Sequence, residues 1–199
     1  MLIRGDDPTA LLAALDAGAV LTGTHRHPDG HCLVSWTPGA PPPPPSPRHP
    51  RARPTLERHH DLAPHDAIAR LHREAFGADP GDTYAYLASL PDFTAWLALL
   101  DGEVVGMKVG AARGRRRFHS HEGAVTASAR RRGIASALMR AQHDHARTLG
   151  HTVVTTNTFQ RFGSMLRLNL AAGFTIVGTE VVPGQAGPKI RLRKTLETQ

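Results

Sequence analysis

Five consecutive prolines, Pro41 to Pro45, with Pro47, Pro50 and Pro54 among arginines just after them, set the first limit on how this chain can fold. Proline fixes φ and lacks an amide hydrogen, so such a run favours extended polyproline II and cannot enter a packed core. Residues 41–54 are therefore expected to be a linker, separating an extension over 1–40 from a main domain over 55–199. A total of 199 residues leaves no room for a second full-sized domain. Within the extension, Pro8 to Leu21 reads as a short helix, and Val20 to Trp36 as two strands about the turn Pro28-Asp29-Gly30. Docking on the main domain, self-association into a homodimer and poor order are all open to this segment.

The apolar fraction of 40% and charged fraction of 21% are those of an ordinary globular chain. Apolar runs such as Leu11 to Leu21 are interrupted by Asp16, and Asp6 and Asp7 stand where the basic start of a secretory leader would be. No membrane association and a cytoplasmic location are expected. Cys32 alone provides no internal disulfide, which suits a reducing compartment. A net charge of +7 suits a phosphorylated cofactor, nucleic acid or an acidic partner. Nucleic acid is disfavoured, because no aromatic residues interleave with Arg113, Arg115, Arg116 and Arg117, or with Arg130 to Arg132, as stacking platforms would. His25, His27 and His31 beside Cys32 are of zinc-ligand type, yet a His-rich hairpin is the commoner origin of such a trio. His143 and His145 diverge around a helix, so no metal is expected.

Past the linker the periodicity is clearer. Thr55 to Arg58 reads as a strand. Asp66 to Phe76 places Ile68, Leu71 and Ala75 on one helical face with His72 at its border, read as a packed neighbour. A helix over Asp82 to Leu90 would bury Tyr86, Leu87 and Leu90. Strands over Thr94 to Leu100 and Glu103 to Val109 flank Asp101-Gly102, the dipeptide of a tight hairpin, and a third covers Arg117 to Ala127. A helix from Gly133 to Gly150, a strand over His151 to Thr156, a helix over Ser164 to Ala172, and strands over Phe174 to Val182 and Lys189 to Leu192 follow. The order β-α-α-β-β-β-α-β-α-β-β implies a mixed α/β sheet with helices on its faces.

The connection from the third of these strands to the helix at Gly133 presents backbone amides and a positive helix end, an arrangement suited to an anion. Small residues at Gly133 and Ala135 leave room for phosphate to approach the main chain, and Arg130, Arg131 and Arg132 supply charge.

The turn Arg130-Arg131-Arg132-Gly133-Ile134-Ala135, with the downstream run Met165-Leu166-Arg167-Leu168-Asn169-Leu170-Ala171-Ala172-Gly173-Phe174, resembles the two diagnostic segments of the GNAT family of N-acetyltransferases. The hairpin Asp101-Gly102-Glu103-Val104-Val105-Gly106 is similar to that family's preceding strands. The resemblance spans residues 55–194 and implies a mostly antiparallel central sheet in which two parallel strands splay apart over acetyl-CoA. By carry-over, Val125 would offer backbone hydrogen bonds to the pantetheine arm, Arg130 to Ala135 would hold the pyrophosphate, and Asn169 would contact the cofactor. The implied reaction is direct attack of a primary amine, on a small molecule or a protein, on the thioester. Its base would lie on the strand before the turn, with Glu122 the first choice and His121 the second. Regular pleating sets His119 and His121 on the face opposite Ser120 and Glu122, unless a bulge intervenes. The sequence departs from the family at Asn169, where many members carry a Tyr that protonates the leaving thiolate, and at Phe162, where an Asn often touches the cofactor. Asn cannot serve as a general acid. A non-catalytic acyl-CoA-binding or regulatory module is the alternative that this departure supports.

Overall fold

The computed structural model describes residues 1–40, 50, 53–61, 63 and 65–197. The expected linker over 41–54 thus lies largely outside the described residues. The chain divides into two compact units, Met1–Pro45 with Thr155–Thr195, and Ser46–Val154 with Leu196–Gln199.

In the first unit, β1 (Leu2–Arg4), α1 (Pro8–Asp16), β2 (Val20–Arg26) and β3 (Cys32–Thr37) form a three-stranded sheet in the order β1-β3-β2 with one helix. Asp7 starts α1 by accepting the Ala10 amide at 2.9 Å, and Pro8, with no amide hydrogen to lose, occupies its first turn. The helix stops at Asp16, short of the expected Leu21, because Gly18 turns the chain at φ 80° and β2 begins at Val20. β1 was not foreseen; three residues are too few to carry a period. These elements pack within the unit against its later part. Gln160 accepts the Leu21 amide at 2.7 Å and donates to the Ala19 carbonyl at 3.0 Å. The Ile176 amide donates to Gly5 O at 2.9 Å. Gly5 is required there, since a Cβ would fall 2.2 Å from Ile176 O. The later part comprises α5 (Gly163–Ala171) and the antiparallel pair β9 (Thr175–Glu180) and β10 (Lys189–Thr195).

The second unit follows the expected order. β4 (Thr55–His59), α2 (His65–Phe76) and α3 (Thr83–Ala88) precede β5 (Thr94–Leu100), β6 (Glu103–Ala112), β7 (Arg117–Val125) and α4 (Ile134–Thr148), after which β8 (Val153–Phe159) begins. The strands β4 to β7 pair antiparallel in sequence. Asp101 and Gly102, at φ 51° and 83°, close β5 onto β6 in the doubly left-handed turn that matches strand twist. One face of this sheet, with Ala95, Leu97, Met107, Val109, Ala111 and Ala124, packs on Ile68, Leu71, Tyr84 and Leu87 of α2 and α3. The opposite face, with Ala98, Trp96, Val105 and Val125, packs on Ile134 and Leu138 of α4. Each fully buried Leu or Ile contributes roughly 1.5–3 kcal/mol. The sheet as a whole has seven strands in the order β4-β5-β6-β7-β8-β10-β9, so the fold class is mixed α/β with helices on the sheet faces, as expected.

One aromatic lies opposite to expectation. Tyr86, expected inside, is 52% exposed, whereas Tyr84 is fully buried. With α3 only six residues long, the inward face is the i, i+3 pair Tyr84 and Leu87, and Tyr86 instead accepts a 2.8 Å hydrogen bond from Arg113.

Candidate active site

The site is built where β7 departs from regular pairing. Val109 of β6 faces Glu122 and Gly110 faces Ser120, so His121 is an extra residue, a β-bulge. The bulge overrides the strict alternation expected from sequence. His119 is paired with Ala111 and Glu122 with Val109, and these two β6 residues share the face covered by α2 and α3. His119 and Glu122 therefore point to the same side of the sheet. The His119 and His121 rings stand 6.0 Å apart, edge to face.

On that side Glu122 is held by two helices. Tyr84 of α3 donates its hydroxyl to Glu122 Oε1 at 2.5 Å, and His72 Nδ1 of α2 lies 2.8 Å from the same oxygen and 3.1 Å from the Tyr84 hydroxyl. The side chains of His72 and Glu122 are 14% and 12% exposed. Burial, then the Glu122 charge and its hydrogen bond, raise the Tyr84 phenol well above its ordinary value. Tyr84 thus remains a hydroxyl donor, and the carboxylate keeps a fixed orientation. His72, one turn beyond the buried Ile68, is part of this cluster as well as a packed neighbour. Neither Tyr84 nor His72 was assigned a role from sequence. The one available signal was that the chain has only two tyrosines and thirteen histidines.

Beyond Val125 the main chain leaves the sheet in a defined path. The Thr126 amide donates to Val105 O at 2.9 Å, Ala127 to Ala129 form one 3₁₀ turn, and the Ala127 amide donates to Glu74 Oε1 at 3.0 Å. Arg130 Nε donates back to Val125 O at 3.1 Å, which braces the turn against the end of the strand. Arg131 and Gly133 take left-handed backbone at φ 63° and 86°. Gly133 is the N-cap of α4 and offers no side-chain cap, so the first amides of the helix lack a capping side chain. A Cβ at Gly133 would meet nothing within 4 Å. The glycine is thus needed for its backbone angle, and the space in front of it is open to a ligand. Ala129 and Ile134, both buried, anchor the two ends of the turn, and Gly106 lets α4 approach β6 closely: a Cβ there would be 3.2 Å from Ile134 Cγ2 and Leu138 Cδ1. Arg130 and Arg131 are exposed, and Arg132, Ala135 and Val125 are half-buried. This cradle of uncapped amides, open space and arginines fits a pyrophosphate.

Asn169 lies in the other unit. It is buried on α5, and its main-chain carbonyl accepts the Ala172 and Phe174 amides at 3.1 Å, terminating the helix. Among the described residues no cluster of three or more His, Cys, Asp or Glu is arranged to hold a metal ion, and His27 and His31 are instead beside Asp29 and Asp6, at 2.8 and 3.2 Å. Among the described residues, too, no helix is long and apolar enough to cross a membrane.

A family model described as the acetyltransferase (GNAT) family matches residues 63–163. That stretch carries His72, Tyr84, Glu122 and the turn. No curated protein matches the chain. Many solved structures do. The IAA acetyltransferase from Bacillus cereus ATCC 14579 is 21% identical with a TM-score of 0.59, covering 72% of this chain and 100% of that one. Ard1 from Thermoplasma volcanium is 19% identical with a TM-score of 0.63, covering 72% and 98%. The structure of yncA from Salmonella typhimurium with acetyl-CoA is 17% identical with a TM-score of 0.60, covering 74% and 96%. At such identities these likenesses establish a common fold.

Proposed function

The chain belongs to the acetyltransferase (GNAT) family, an N-acetyltransferase with acetyl-CoA as donor, and we propose that Glu122 is the base that readies its amine acceptor. The observation that carries this reading is the Glu122 carboxylate, nearly buried and fixed by Tyr84 and His72 on the strand that leads into the anion-binding turn. A lysine-like amine has a pKa of about 10.4, so only about one molecule in a thousand is nucleophilic at neutral pH. Glu122, directly or through water, takes the ammonium proton as nitrogen attacks the thioester carbonyl carbon. The C–S bond then breaks, and the thiolate, whose conjugate acid has a pKa of about 8.5, departs without a strong acid. The nitrogen sheds its second proton as the amide forms, and water relays it to the thiolate in this reading, because Asn169 cannot act as an acid. His121, at the bulge, is the second candidate for the base.

The donor is held by Arg130, Arg131, Arg132, Gly133, Ile134 and Ala135 at the pyrophosphate and by the Val125 backbone along the pantetheine arm. Residues 55–199 form the transferase domain in this assignment, with 1–40 an appended segment. A cytoplasmic location is consistent with Cys32, a free thiol. A nucleic-acid partner is disfavoured in this reading, because no aromatic residues interleave with the basic runs.

The test is a screen of amines with acetyl-CoA, following free thiol and acetylated product by mass spectrometry. Glu122→Gln is expected to lower kcat by about 10²–10⁴, the usual contribution of a general base, with acetyl-CoA binding retained. Turnover that survives both Glu122→Gln and His121→Ala refutes the base assignment. Donor binding without turnover on any amine would favour the binding-module alternative.

A further inference from the structure

The first unit holds a basic cavity of about 430 Å³, and every residue that lines it belongs to that unit. One wall is the end of the β2–β3 hairpin, and the other is the β9–β10 pair. β10 alternates Ile190 and Leu192, both buried, with Arg191 and Arg193, so the two arginines share the outward face. Arg26 pairs with Cys32 across β2 and β3, on the face whose buried members are Leu21, Val34 and Trp36. Thr24, on that same face, accepts the Thr179 amide at 3.0 Å and fixes the hairpin on β9.

The three arginines have no counter-charge in the chain. Among the described residues, the arginines paired with carboxylates are Arg4, Arg73, Arg147 and Arg167. Asp6 also lines the cavity, but Arg4 takes both of its oxygens, at 3.0 and 2.9 Å. Arg191 is placed by a missing side chain: it pairs with Gly178, where a Cβ would fall 2.5 Å from its Nη2 and 3.2 Å from its Cζ. Its guanidinium therefore lies against the main chain of β9, in space that only glycine leaves free. Cys32, half-buried, stands among these cations. Burial pushes its thiol up from the ordinary value, while a Thr24 hydrogen bond and the charges of Arg191 and Arg26 act in the opposite sense.

We propose that this cavity is a binding site for a phosphorylated small molecule, whose phosphate oxygens accept hydrogen bonds from Arg26, Arg191 and Arg193. Three guanidinium forks present more paired N–H donors than a single carboxylate can accept, and they match the several oxygens of a phosphate ester or oligophosphate. A bound anion also removes the mutual repulsion of three cations gathered around one cavity. The volume falls within the range of about 300–1,000 Å³ usual for small-molecule sites. Arg26 and Cys32 come from the extension over 1–40, whereas Arg191 and Arg193 come from the last strand, so the extension completes the cavity. The site shares no residue with the turn at 130–135 and does not depend on how the donor binds.

The probe is inorganic tripolyphosphate, added to the full chain saturated with acetyl-CoA so that the donor turn is already filled. Cys32 is the only cysteine, so its alkylation by iodoacetamide, followed by mass spectrometry, reports on this cavity, and isothermal titration calorimetry gives the affinity. Tripolyphosphate should slow the alkylation with a midpoint equal to the calorimetric dissociation constant. Arg191→Gln and Arg193→Gln should each weaken binding by about tenfold or more, the worth of one hydrogen bond to a charged group, and leave the acetyl-CoA-induced rise in melting temperature unchanged. Absence of binding, binding that leaves Cys32 unprotected, or equal binding by both variants and the wild-type chain overturns the proposal. Citrate bound as tightly as tripolyphosphate overturns the phosphate assignment, and a Glu-rich peptide bound more tightly makes this a protein-docking face and overturns it too. Failure of acetyl-CoA to raise the melting temperature of the wild-type chain would count against the donor reading alone.

Discussion

Gly133→Ala separates the fold requirement of the turn from its ligand requirement. At φ 86° an L-residue pays about 1–2 kcal/mol for left-handed backbone. The new methyl adds no clash, because nothing lies within 4 Å of it. Spread over a chain of this size, that strain lowers the melting temperature of the free protein by roughly 2–8 °C. Gly102 is an internal control: it has φ 83°, the same open surroundings and a place in the β5–β6 hairpin. Gly102→Ala and Gly133→Ala should therefore destabilise the free protein about equally. They should differ with donor present. At a donor concentration about 100-fold above its dissociation constant, mass action adds about 2.7 kcal/mol to the wild-type chain and to Gly102→Ala. In Gly133→Ala the methyl projects into the space assigned to the pyrophosphate, and most of that gain should vanish. The assay is a thermal melt of the three proteins with and without acetyl-CoA. An equal donor-induced shift in all three would refute the placement of the pyrophosphate at Gly133.

Three further outcomes follow from the geometry. Tyr84→Phe removes the hydroxyl that donates to Glu122; it should cost about 1.5–3 kcal/mol of stability, read by urea unfolding, and lower kcat without weakening donor binding. Between about pH 8 and 10.5 the unfolded chain holds the Lys108 proton while the folded chain, in which burial lowers its pKa to about 8, has lost it, so this group adds stability as pH rises through that window, on the order of 3 kcal/mol. The difference in unfolding free energy between the wild-type chain and Lys108→Met should grow across that range, and a difference constant with pH would contradict it. Gly5→Ala forces a methyl to 2.2 Å from Ile176 O and should cost about 1–3 kcal/mol or more, with faster proteolysis of residues 1–40.

The alternation of apolar residues and the turn dipeptide at Asp101-Gly102 determined the order of elements from β4 to β10, because local periodicity and backbone angle are properties of short segments. The strand–turn–helix path through Gly133 was equally legible, because a strand end, a left-handed glycine and a helix start are local requirements. The cluster about Glu122 was not. His72, Tyr84 and Glu122 are separated by up to 50 residues and meet only after α2 and α3 lie on the sheet. The bulge at His121, which sets His119 and Glu122 on one face, depends on pairing with β6 and has no signature in β7 alone. The sequence by itself determined the order of the elements and the glycine turn into α4, since main-chain angle and residue size act locally. Only the tertiary structure decided which side chains surround Glu122, since those contacts arise from strand register and helix packing between distant segments.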